Sequence, residues 1–183
     1  MKTRNLIIAL VACSEIFVSA CSNNQKDPSA AAVNKSAAAT ANPGAPAALP
    51  DNGFKAVITI AEPPAKLRSG QKQTIQVKVK NASDVLWYAR GAAINTAPTN
   101  KFYLAVGNRW LAAADGKLVT DMDGRFGVDR DLKPGEETEV PLVITAPNTP
   151  GEYTLEVDLV QEQVAWFHDK GSAPARVKIT VER

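Results

Sequence analysis

The chain has 183 residues, 22% of them charged, and a net charge of +2 with acids and bases interspersed. That length suits one domain, two at most, and the scattered Lys and Arg offer no clustered basic face for nucleic acid. Both cysteines, Cys13 and Cys21, lie near the N-terminus, so no disulfide can brace the rest, and its roughly 130 residues from Phe54 onward must hold by their core alone.

Residues 1–21 read MKTRNLIIALVACSEIFVSAC. Lys2 and Arg4 give a positive start. Residues 6–13 form an apolar run, shorter than the roughly 20 residues that cross a bilayer and suited to a cleaved signal peptide. Glu15 falls late in this region, and Cys13 reads as one of its small apolar residues. Val18-Ser19-Ala20-Cys21 resembles the bacterial lipobox: a branched aliphatic, two small residues, then the thiol. The resemblance implies diacylglycerol on Cys21, cleavage before it, and acylation of its new amine. Each buried methylene is worth about 0.8 kcal/mol, so two or three acyl chains make a lasting anchor. Ser22 resembles the outer-membrane default rather than the Asp of inner-membrane retention. The expected location is the cell envelope, lipid-anchored at the outer membrane and facing the periplasm or the cell surface.

Residues 22–53 lack aromatics and are dominated by Ala, Asn, Ser and Pro, which cannot bury enough apolar area to fold. The predicted organisation is a signal peptide over 1–20, the lipidated cysteine and a disordered tether over 21–53, and a β-sandwich over 54–183. Phe54, Ala56, Ile58 and Ile60 share one face until Pro63-Pro64. Ile75, Val77 and Val79 alternate with Gln76, Lys78 and Lys80, the pattern of a half-buried strand. Residues 102–111 read as a further strand, and Asp115-Gly116 signals a hairpin. Lys133-Pro134-Gly135-Glu136 is a turn before Val140, Leu142 and Ile144. Tyr153, Leu155, Val157 and Leu159 form the longest strand, with Thr154, Glu156 and Asp158 opposite, and Val177, Ile179 and Val181 close the domain. Seven to eight short strands without helical periodicity predict an all-β, antiparallel sandwich of immunoglobulin type.

Val106-Gly107-Asn108-Arg109-Trp110-Leu111, Asp115-Gly116, Leu132, Pro134-Gly135 and Pro150-Gly151-Glu152-Tyr153 are followed by Asp158-Leu159-Val160-Gln161-Glu162, Trp166-Phe167 and Gly171-Ser172. In this order they resemble the immunoglobulin-like modules appended to some bacterial glycosyltransferases and methyltransferases, over residues 74–182. The resemblance implies a fold and an accessory role, with no catalytic residue to carry over. Tyr153 has the place of a tyrosine corner.

His168 is the one histidine, and the one thiol left after cleavage is the acylated Cys21, so no transition-metal site can be assembled. Asp121-Met122-Asp123-Gly124 with Asp129 and Asp131 suggests calcium but fails the twelve-residue loop: Arg125, Phe126 and Leu132 stand where a ligand, Gly and Glu belong. A Ser-His-acid triad has little to start from. The candidate binding residues are Trp110, Trp166, Phe167 and His168. Adjacent Trp166 and Phe167 point to opposite faces of a strand, so one is exposed or lies under a loop. With Trp87, Trp110 also reads as a core aromatic. The expectation is a membrane-anchored, non-catalytic lipoprotein without cofactor, binding an envelope protein in an assembly or scaffold role. Carbohydrate binding and inhibition of a hydrolase are the alternatives. An exposed aromatic flanked by acids would favour glycan, a protruding 121–131 loop inhibition, and a flat apolar edge strand a protein.

Overall fold

The computed structural model describes residues 47–89, 100–121 and 123–183. The expected signal peptide, Cys21 and the expected tether as far as residue 46 lie outside the described residues. Alternation of apolar and polar side chains sets the strands. β1 (Ala56–Ala61), β3 (Lys72–Asn81) and β7 (Glu137–Thr145) form a three-stranded sheet in the order β1-β3-β7. Ile75, Val77 and Val79 of β3 face Val140, Leu142 and Ile144 of β7 across its inner face, all at most 3% exposed. Pro141 needs no ladder donor, because β7 is an edge strand.

The second sheet runs β2 (Lys66–Arg68), β10 (Ala175–Glu182), β8 (Gly151–Gln161), β4 (Leu104–Ala112), β5 (Leu118–Thr120). Two short strands attach to it: β6 (Arg125–Gly127) on β4 and β9 (Ala165–Trp166) on β8. Two facing sheets ordered 1-3-7 and 2-10-8-4-5 are the immunoglobulin-type arrangement. The sequence reading holds for the class and for the long strands. It is amended in one pairing, because β2 runs parallel to β10, and in number, because the described residues form ten strands where seven to eight were expected. Pro63-Pro64 breaks the first strand, so its first half joins one sheet and its second half the other. The short strands β2, β6 and β9 carry too few residues for a periodic signal.

Aromatic clusters fill both ends of the core. Phe54, Trp87 and Phe167 meet edge to face, with Phe167 centred 5.1 Å from Phe54 and 5.2 Å from Trp87. Trp110 packs against Tyr153 at 6.3 Å. The Tyr153 hydroxyl donates to the Thr149 carbonyl at 2.8 Å, closing the corner between β7 and β8 as a tyrosine corner does.

Residues 47–53, assigned by composition to the tether, are bound to the sandwich. The buried Gln161 amide accepts from Leu49 N and donates to the carbonyls of Ala47 and Phe102. The Trp87 indole donates to Gly53 O, and Lys170 pairs with Asp51. A polar, aromatic-poor segment is ordered here by hydrogen bonds that composition does not display.

Candidate functional site

Successive side chains of β8 alternate between faces, so Thr154, Glu156, Asp158 and Val160 point away from the core. A half-solvated sheet would leave them wet, yet Glu156 is 1% and Asp158 3% exposed. Glu156 is in register with Arg109 on β4 and Arg176 on β10. The Arg109 Nε donates to one carboxylate oxygen, and the Arg176 Nε donates to the other at 2.6 Å. Burial pushes the Glu156 carboxyl up, but the guanidiniums of Arg176 and Arg109 together outweigh it and hold the group below the ordinary glutamate value. Two cations on one carboxylate leave this row with a surplus positive charge.

One step along β8, Asp158 lies under the turn His168–Lys170 that follows β9. Its Oδ2 accepts from His168 Nδ1 at 2.6 Å and from the His168 backbone N–H at 3.0 Å, while Oδ1 accepts from Leu159 N–H at 2.8 Å. Burial raises the Asp158 pKa, and the bonds from His168 reduce the rise without cancelling it. The other imidazole nitrogen, Nε2, lies 3.1 Å from Arg109 Nη2 and 3.2 Å from Asp169 Oδ1. A guanidinium can only donate. In the neutral ring, therefore, Nδ1 carries the proton and Nε2 accepts from Arg109.

Trp166 completes the surface. Its ring edge rests on Gly107, where a Cβ would come within 2.8 Å of Cη2, so only glycine leaves room for the indole. The Arg125 guanidinium lies over the ring, 4.9 Å from its centre, and bonds Glu162 at 2.7 Å. Trp166, Arg125, Glu162, Val164 and Asp169 line a shallow groove of about 320 Å³.

No family model and no curated protein matches the sequence. Several solved structures are similar to part of the chain. The chain is similar to the CARDB domain of a Pyrococcus furiosus protein, at 16% identity and a TM-score of 0.40 over 69% of this chain and 94% of that one. It is similar also to Spo0M, a sporulation control protein from Bacillus subtilis, at 17% and 0.40 over 70% and 49%. A β-glucosidase from Listeria innocua in complex with glucose gives 14% and 0.41, with 70% of this chain covering 16% of the enzyme. This chain thus spans about half the length of Spo0M and a small part of the β-glucosidase. The fold assignment rests on the strand order and register described above.

The four candidate residues separate into two pairs. Trp166 and His168 stand on the outer face of the larger sheet. Trp110 and Phe167 are fully buried, which removes both from any binding surface: Trp110 points into the core from β4, and Phe167 turns inward immediately after Trp166. Phe167 instead fixes the end of the core from which Trp166 and His168 project. Three of the four acids of residues 121–131 are tied down separately. Asp123 accepts from Thr145 N–H and Asn108, Asp129 from Thr138, and Asp131 from Ala89 N–H. Gly124 presses so closely on β7 that a Cβ would lie 2.2 Å from Val143 O. Among the described residues no group of three or more His, Cys, Asp or Glu side chains is placed to hold a metal ion. Sequence reasoning missed Arg109, Arg125, Glu156, Asp158 and Glu162. The available signal was the alternation of β8, which put Glu156 and Asp158 on one face without showing what covers them.

Proposed function

We propose that the chain is an envelope lipoprotein, held by acyl chains on Cys21, whose sandwich offers the Trp166 groove to a protein partner in an assembly or scaffold role. The observation that carries this reading is the Trp166–Arg125 stack beside exposed Val164. Tryptophan and arginine are the residue types that dominate contact energies between proteins, and here they are prepositioned by Gly107 and Glu162. A non-catalytic role is supported by His168: the nitrogen from which a carboxylate–histidine pair would take a proton faces Arg109. The anchor is supported by the sequence of residues 18–21. The carbohydrate alternative draws on Glu162 and Asp169, which flank the aromatic ring. Against it, Arg125 covers one face of the indole and Gly107 meets its edge, where a sugar would need an open face for stacking.

The test uses the full chain, tagged, beside Trp166→Ala. A protein recovered from envelope extract by the parent and lost by the variant supports the reading. Equal recovery by both overturns the placement, and Trp166-dependent retention on purified envelope polysaccharide in place of a protein moves the reading to glycan. Separately, Cys21→Ser is expected to leave the membrane fraction, and its persistence there would refute the anchor.

A further inference from the structure

We propose that His168 is a proton-operated switch set beside the groove. Neutral, its Nε2 accepts a hydrogen bond from Arg109. Protonated, the same nitrogen donates to Asp169 and holds that carboxylate away from a ligand in the groove.

The geometry supplies both positions. Nδ1 is committed to Asp158 in either state, since a buried carboxylate at 2.6 Å accepts whether or not the ring is charged. Nε2 has a donor-only group at 3.1 Å, Arg109, and an acceptor-only group at 3.2 Å, the Asp169 carboxylate. A bare nitrogen can use only the first and an N–H only the second. Protonation therefore exchanges partners without a large movement, and Arg109 keeps its bond to Glu156 when released.

The surrounding charges fit this exchange. From β4 the ring faces Arg109, and from β8 it faces Asp158. Glu156 on β8 is screened by Arg109 and by Arg176 on β10. Within the turn, Asp169 faces the ring while Lys170 is paired with Asp51. Beyond Trp166 stand Arg125 on β6 and Glu162, paired with each other. An imidazolium would thus sit between two carboxylates, Asp158 and Asp169, and against one cation, Arg109. Histidine is the side chain whose ordinary titration range spans neutral to mildly acid pH. The Trp166 and His168 rings are 6.2 Å apart, so the indole senses the change.

Asp169 has a side chain 56% exposed and lines the groove. In the neutral state it is open to a cationic group of a partner; after protonation of His168 it is occupied. This consequence for binding rests on the groove being the recognition surface, whereas the switch itself does not.

The experiment is nitrogen-15 imidazole spectroscopy on the full chain from pH 8 to pH 5, in the parent and in Asp169→Asn. Because the chain has a single histidine, the imidazole signals are unambiguous. The expected results are a neutral ring protonated at Nδ1, the less common tautomer, and a Trp166 indole signal that shifts with the same midpoint. Asp169→Asn, at an exposed position, is expected to lower that midpoint, because it removes one of the two carboxylates that face the ring. A neutral ring protonated at Nε2, or a midpoint unchanged in the variant, would overturn the proposal. Neither result depends on a partner being found, so a failed capture and a failed switch are told apart.

Discussion

Glu156→Gln tests whether the clamp across β4, β8 and β10 stabilises the fold through charge. Removing one member of a fully buried ion pair costs about 3–5 kcal/mol. Here Glu156 is buried, but the Arg109 and Arg176 side chains are 27% and 60% exposed, so both guanidiniums can turn to water. Glutamine also keeps one acceptor. The expected loss at pH 7 is therefore about 1–2 kcal/mol, measured by urea unfolding followed through tryptophan fluorescence. The pH dependence gives a sharper check. The folded pKa of Glu156 lies below its unfolded value, so its contribution is complete above the unfolded pKa, about 4.3, and is lost as the pH falls through the folded value. The gap between parent and variant should narrow below about pH 4. Asp158 acts with the opposite sign: its raised folded pKa contributes stability below the unfolded value of about 3.9 that is lost as the pH rises through the folded one. Only the difference between parent and variant isolates Glu156. Equal stability at pH 7, or a gap constant from pH 7 to pH 3, would refute the charge argument.

The neighbouring aromatics should behave differently: Phe167→Ala is expected to cost about 3–5 kcal/mol by emptying the core, and Trp166→Ala roughly 1–2 kcal/mol. Equal losses in denaturant melts would contradict the assignment of one to the core and the other to the surface. Gly124→Ala drives a Cβ into the backbone of β7 and should lower stability by about 2–4 kcal/mol, visible as a drop in melting temperature. Tyr153→Phe removes only the corner bond to Thr149 and should cost about 1 kcal/mol in the same assay.

Strands whose inner faces are regular were legible in the sequence: β3, β7, β8 and β10 each alternate over several residues, and the Pro-Gly turns separate them. The strands that escaped are two or three residues long, defined by their neighbours rather than by a pattern. The candidate site was legible in part. Trp166 and His168 drew attention as an aromatic and a lone imidazole, but nothing local distinguished them from Trp110 and Phe167, which the core absorbs. The acids under them depend on cross-strand register: Arg109 and Glu156 are 47 positions apart, and His168 and Asp158 meet only because the chain folds back after β9. Likewise, the ordering of residues 47–53 depends on Gln161, more than 100 positions away.

The break at Pro63-Pro64 also has a mechanical meaning. Residues 47–53 lead into β1, which lies along β3 over six residue pairs, and β2 then lies alongside the final strand. A pull applied through residues 47–53 along the axis of these strands would load each ladder lengthwise and have to shear several hydrogen bonds together instead of opening them singly. By lying in both sheets, the first strand divides that load between them. A domain hung from its N-terminal end would gain grip from the same two prolines that interrupt its first strand.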